Sequence, residues 1–232
     1  VVFCSDDLRL PRGGPGDRRK FLDLAFSSSD ADYLESLRRY HKALRGRNAL
    51  LRKNGEALEL DAFEREMSVS AAHLVRVRTE ALAALGKCFA NRYRTIGGGA
   101  EEPDLRYDAD QEIEEAEEFA RLLRDGRDRD RLAKATQRGP HRDDFTFLLD
   151  ARDARHFASE GQQRSLVLAL RFGQADYLRN RLGLAPLILV DDVLGELDGE
   201  RRLLLLLLDF RFFGRSRLTD KLIPVSRRAN FC

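Results

Sequence analysis

The chain has 232 residues, 43% of them hydrophobic and 34% charged, with a formal net charge of +2. That length suits one large domain or two ordinary ones, and the apolar share is enough for a core beneath a heavily charged surface. Only 17 Gly and 6 Pro exclude collagen-like and low-complexity classes, and the longest apolar run, the leucines at 203–208, is far short of the ~20 residues of a membrane span.

Cys4, Cys88 and Cys232 are odd in number, far apart and without a CxxC. They make neither a disulfide framework nor a zinc site, so a reducing, cytoplasmic setting without a membrane is expected. Lysine supplies only 6 of the 41 basic residues, and arginine is the better residue for forked contacts to carboxylate and phosphate. The chain opens on Val1-Val2-Phe3, like the middle of a strand, which is expected of a piece of a longer protein.

A short strand and loop over 1–10 is closed by the turn-rich Pro11-Arg12-Gly13-Gly14-Pro15-Gly16. Asp17 is placed to cap a helix over 18–26. Ser27-Ser28-Ser29-Asp30 begins a second helix that runs to about Lys53, with Leu34, Leu37, Tyr40, Leu44 and Leu51 at helical spacing. Phe63, Met67, Leu74, Ala81, Leu85 and Phe89 recur at threes, fours and sevens, which predicts a long helix over 61–93 with a narrow apolar seam. Gly97-Gly98-Gly99 ends it. The stretch 110–138 also reads as helix, first acidic and then basic, an order that suits helix dipoles and leaves both runs as a solvated face.

Beyond Gly139-Pro140 the character changes. Residues 145–149 are strand-like and 161–182 form an amphipathic helix. Leu187-Ile188-Leu189-Val190 has no alternation, as in a parallel strand buried on both faces. The pattern divides the chain into a mainly helical arm at 1–138, part of an α/β domain at 139–208 and an atypical tail at 209–232.

Two local signals carry chemistry. Asp191-Asp192 closes the apolar strand, and acids at the C-terminal edge of a parallel sheet sit where such folds bind ligands. Ser159-Glu160-Gly161-Gln162-Gln163 precedes the helix at 161–182, and a helix N-terminus with free N–H groups is a seat for phosphate. Each has a plainer reading, a strand stop or an ordinary N-cap. Their order is more specific than either: capped helix, acid-ended strand, then Gly195-Glu196-Leu197-Asp198.

That order resembles the signature loop, Walker B strand and D-loop of ABC-type ATPases. The wording of Gly139-Pro140-His141-Arg142-Asp143-Asp144-Phe145, Ser159-Glu160-Gly161-Gln162-Gln163-Arg164-Ser165 and Asp191-Asp192-Val193-Leu194-Gly195-Glu196-Leu197-Asp198 is similar to the RecF family, bacterial recombination mediators related to SMC-type ATPases. Arg18-Arg19-Lys20-Phe21-Leu22-Asp23, Tyr40 and Arg47-Asn48-Ala49-Leu50-Leu51 resemble the arm of the same family. The likeness runs in order from 1 to about 208. It implies an α/β fold: a partial ABC-type ATPase head on a parallel-sheet P-loop core, carrying a long, mainly helical arm lobe.

The resemblance implies ATP and Mg²⁺ as cofactors. Ser159, Gly161, Gln162 and Gln163 would take the signature role on the γ-phosphate of ATP held by the other subunit of a homodimer. Asp191 would be the magnesium residue and Asp198 would cross the dimer interface. Asp192 stands where most ABC ATPases have Glu, and its shorter side chain implies slow, DNA-dependent hydrolysis. Binding to gapped or single-strand/double-strand junction DNA, RecR and RecO as partners, recombinase loading and the SOS response are implied likewise. For His141 and Arg142 the resemblance supplies no chemistry, and a structural role is expected.

The chain departs from the family pattern in two places. No Gly-x-x-x-x-Gly-Lys-Ser/Thr occurs within it, and no His follows His156 to act as a switch. The phosphate-binding segment is expected ahead of Val1. A transporter-type or SMC-like ATPase fragment and a non-catalytic helical module remain alternatives. Arg38, Lys42, Arg45 and Arg52 fall on one stripe of the second helix, which could track a phosphate backbone or be a solvated face. Without a phosphate cradle and its lysine, the 232-residue polypeptide is expected neither to bind ATP tightly nor to hydrolyse it. Nucleotide titration of the purified chain checks this, and a micromolar affinity would overturn it.

Overall fold

A computed structural model of the chain describes residues 1–96 and 101–190. Its axis is a single 40-residue helix, about 60 Å long at 1.5 Å per residue. In chain order, β1 (Val2–Phe3) and a 3-10 turn (Ser5–Arg9) lead to α1 (Pro15–Ser27), α2 (Ala31–Lys53) and the long α3 (Ala57–Ile96). Then come β2 (Pro103–Asp108), α4 (Ala116–Asp125), α5 (Arg127–Ala133), β3 (Asp144–Leu149), β4 (Arg152–Asp153), α6 (Ala154–Phe157), α7 (Glu160–Leu182) and β5 (Leu189–Val190).

Local chemistry sets the helix ends. Asp30 caps α2 by accepting from the Tyr33 N–H at 2.8 Å, and Asn54 ends it in the left-handed region at φ 52°. The first helix starts earlier than Asp17, because Pro15 takes the first helical position, where its missing N–H costs nothing. The expected seam of α3 is buried at Met67, Leu74, Ala81, Leu85 and Phe89. One side of α3 meets α2 and another meets α7. At Gly173 of α7 an added Cβ would lie 2.8 Å from the backbone of Phe89, so the two helices touch main chain to main chain.

The stretch 110–138 is not one helix. It begins as helix only at Ala116 and breaks at Gly126, which ends α4 and starts α5. The preceding segment is held in tertiary bonds instead: the Asp110 N–H donates to Asp143 at 2.9 Å, and the Asp110 carboxylate accepts from the Gly139 N–H at 2.8 Å. Those contacts outweigh the weak helical propensity of an acidic run. Nor are the charged runs all solvated, since Arg127 pairs with Asp61 and Glu64, and Asp130 is buried.

The order β2-β3-β4 forms an antiparallel sheet, with Leu105 opposite Phe147 and Tyr107 opposite Phe145. β1 and β5 pair in parallel, Val2 with Leu189 and Phe3 with Val190. The expected parallel strand is therefore present, but it is not buried on both faces. Leu187 and Leu189 are 71% and 51% exposed, because among the described residues β5 pairs with β1 alone and one face carries no layer.

Beneath the apolar core lies a framework of buried arginines. Arg78 of α3 donates to Tyr33 Oη (3.0 Å), to the Pro140 carbonyl (2.7 Å), to Asp143 (2.8 Å) and to Asp23 (2.8 Å). Asp143 also accepts from Tyr107 Oη. Arg18 forks onto Asp144, with both bonds at 2.7 Å, and donates to the Leu10 and Gly13 carbonyls. Arg47 of α2, wholly buried, reaches Glu64 (3.0 Å), Asp130 (2.7 Å), Thr136 (2.8 Å) and the Leu123 carbonyl (3.1 Å). Replacing Arg47 by Met leaves the buried Asp130 without its cation and Glu64 with Arg127 alone, and is expected to cost about 3–5 kcal/mol. Urea denaturation of the wild type and the variant measures this, and a loss within about 0.5 kcal/mol would show the cluster to be energetically idle.

Candidate functional site

The start of α7 is shaped by its own sequence. Ser159 sits extended just before the helix, and its Oγ accepts from the Gln162 N–H at 3.2 Å. Gln162 Oε1 accepts in turn from the Ser159 N–H at 2.6 Å, closing a capping box. The plain N-cap reading of Ser159 therefore holds, and it leaves the loop competent for more. The amides of Glu160 and Gly161 open the helix, where N–H groups have no intrahelical acceptor and face the positive end of the dipole. Ser159 and Glu160 are exposed and Gly161 is half-buried, so the cap is presented outward.

Gln162 and Gln163 point different ways. Gln162 Nε2 donates to Glu101, whose other carboxylate oxygen accepts from Tyr93 Oη at the end of α3. Gln163 is buried, and its Nε2 donates to the Ala158 carbonyl at 3.0 Å. Its side chain holds the turn into α7 and also lines the cleft beside the cap. A cleft of about 420 Å³ opens beside the cap, lined among others by Arg9, Arg12, Gly13, Glu160 and Arg164. Arg9 and Arg12 come from the turn-rich segment after β1, which the sequence pattern marks only as a breaker.

β5 runs directly towards Asp191. Asp191, Asp192 and Asp198 lie outside the described residues, as does the tail at 209–232. Among the described residues no group of three or more His, Cys, Asp or Glu is placed to hold a metal ion.

On α2 the basic stripe is real. Arg38, Lys42, Arg45 and Arg52 are all exposed, and among the described residues none has an ion-pair partner within 4.0 Å. Arg39 pairs instead with Glu66 at 2.8 Å, and Arg47 belongs to the buried framework.

His141 and Arg142 also find their places. The His141 ring bonds Tyr40 Oη at 2.7 Å through Nδ1 and the Thr136 carbonyl at 3.1 Å through Nε2. The carbonyl can only accept, so Nε2 carries the proton and Nδ1 accepts from the tyrosine. Burial pushes the His141 pKa down, which keeps this bridge neutral. Arg142 is half-exposed, 3.8 Å from Asp110. Neither touches the α7 cap.

Comparison with known proteins gives one consistent answer. No family model matches the chain. It is 42% identical over 202 residues to the DNA replication and repair protein RecF of Moorella thermoacetica, covering 85% of this chain and 54% of that protein. With the protein of the same name from Trichlorobacter lovleyi the identity is 37% over 205 residues, covering 87% and 55%. The solved structure of the recombination mediator protein RecF-ATP in the RecFOR pathway superimposes with a TM-score of 0.81 at 30% identity, over 90% of this chain and 58% of that one. The chain spans about half the length of the curated relatives it matches.

A helical arm on one long helix, joined to a head that bears the Ser159-capped helix α7, matches part of an ABC-type ATPase. Within that class the chain belongs to the RecF family. No described helix is long and apolar enough to cross a membrane.

Glu101 is the outside support of the cap. Glu101→Ala is expected to speed amide exchange at 159–162 while leaving the centre of α3 as protected as before. Unchanged exchange at the cap would mean that the Ser159–Gln162 box alone holds it.

Proposed function

We propose that this chain is the signature-bearing part of an ATP-gated DNA replication and repair protein. The observation that carries the reading is the outward-facing cap of α7, a phosphate-competent helix N-terminus whose own side chains are already satisfied. Ser159, Gly161 and Gln162 present it to the γ-phosphate of ATP held by a second copy, and Gln163 braces it from below. Asp191 is assigned to Mg²⁺, through water, and Asp192 to polarising the attacking water, one methylene shorter than the usual Glu. Asp198 is assigned to the crossing between copies. Bound ATP supplies the charge that draws two heads together. The chain's contribution is a rigid cap that meets this charge without rearranging.

The same reading gives the division at residue 138 a functional sense: arm residues before it and head residues after it. DNA is the macromolecular ligand, and gapped duplexes or single-strand/double-strand junctions are the preferred forms. RecR and RecO are the partners, in support of recombinase loading and the SOS response in the cytoplasm.

The stripe on α2 is the proposed DNA contact. It is basic, exposed and unneutralised by neighbours. Each phosphate contact steepens the fall of log affinity with log salt by about 0.9 for duplex DNA and about 0.7 for single strands. Replacing Arg38, Lys42 and Arg45 together by Ala is expected to weaken binding to a gapped duplex and to flatten that slope by roughly 2–3. Fluorescence anisotropy across a salt series measures it, and an unchanged slope would move the DNA site elsewhere.

A further inference from the structure

A cleft of about 510 Å³ runs between α1 and α2. Its walls are aliphatic: Leu24 of α1, itself 59% exposed, faces Leu34 and Leu37 of α2, with Tyr40 and His41 beneath. The volume is that of a side-chain or small-ligand pocket. Nothing among the described residues fills it, and an exposed leucine in a concave wall is a cost that an occupant removes.

The rim has one sign of charge. Arg19 and Lys20 line the α1 side. On α2, at roughly 100° per residue, Arg38, Lys42 and Arg45 occupy the arc next to Leu34, Leu37 and His41. The one lining carboxylate, Asp23, is spent on Arg78 and Tyr33. Burial lowers the pKa of both His41 and His141, so the imidazoles add no charge near neutral pH. The positive rim is arginine and lysine.

We infer that the α1–α2 cleft docks an acidic segment of a partner protein that inserts a bulky apolar side chain between Leu24 and Leu37. An acidic rim-facing segment neutralises five cations that would otherwise repel across the cleft. Its apolar anchor covers the aliphatic walls, as anchors do in helix-in-groove recognition. Nucleic acid would meet the rim equally well but not the interior. The ring of Tyr40 is 1% exposed, so it offers no face for a base to stack on, and single strands draw their base affinity from such faces.

The inference stands apart from the DNA role of α2, because the apolar walls and the basic stripe can be changed separately. Three fluorescein-labelled probes are titrated against the full chain: an acidic peptide of Glu with Leu and Phe at helical spacing, the same peptide with Ser at the apolar positions, and a single-stranded oligonucleotide of equal charge. The apolar acidic peptide is expected to bind in the micromolar range and the Ser version about tenfold or more weakly. The double variant Leu24→Ser, Leu37→Ser replaces only exposed and half-exposed side chains. It should abolish the difference between the peptides while leaving the salt slope for gapped DNA unchanged. Circular dichroism confirms that it folds. Equal binding of the two peptides, no binding of either, or an oligonucleotide whose binding depends on Leu24 and Leu37 would each overturn the inference.

Discussion

Arg78 is the residue around which the described fold is organised. One guanidinium on α3 holds Asp23 of α1, Tyr33 of α2, the Pro140 carbonyl and Asp143 ahead of β3. Removing any one partner leaves a charge or a polar atom in a site with no water to replace it. The fork of arginine, planar and always charged, makes so many simultaneous bonds feasible. Arg18 and Arg47 repeat the design at two further junctions.

Framework and function divide the family-like sequence motifs between them. Gly139-Pro140-His141-Arg142-Asp143-Asp144 clusters His, Arg and acids, yet the expectation for His141 and Arg142 is a structural role. In the structure it is a knot. Asp143 and Asp144 anchor Arg78 and Arg18, and His141 bridges Tyr40 to the chain at Thr136. Gly139, at φ +124°, occupies a place where a Cβ would strike Tyr40 Oη at 2.6 Å. Asn48, beside Arg47, accepts from both the N–H and the Oγ1 of Thr136. Among the described residues the Ser159 motif is instead presented outward, with Ser159 and Glu160 exposed. Chemistry-bearing residue types in a tight run thus served packing.

Much of this was legible from periodicity. The bounds of α2, the seam of α3, the extent of α7 and the parallel pairing of 189–190 follow from apolar spacing and cap residues, which act within a few residues of each other; α7 itself is buried on nearly every side from 163 to 178 rather than amphipathic. What could not be read depends on partners far away in sequence. β2 turns Pro103, Leu105 and Tyr107 inward, a short alternation opened by a proline that does not mark a strand without β3 beside it. The 110–138 stretch looks helical until Asp110 is claimed by Asp143 and Gly139. Arg47 looked like one more member of a basic run, and only Glu64, Asp130 and Thr136 show it to be core. The exposed stripe of Arg38, Lys42, Arg45 and Arg52 was foreseen because helical geometry alone fixes which side they share. The placement of Arg9 and Arg12 in the cleft beside the α7 cap was not, since it rests on how the segment after β1 folds back.

The contact of Gly173 with Phe89 has a mechanical meaning. Two helices usually meet through side chains, which can change rotamer and let one slide over the other. Here main chain rests on main chain, and even a methyl group has no room. A joint without a side-chain layer has little slack. The crossing therefore fixes how far α7, with the cap at its start, stands from the 40-residue α3, and any side chain at 173 would force the two helices apart.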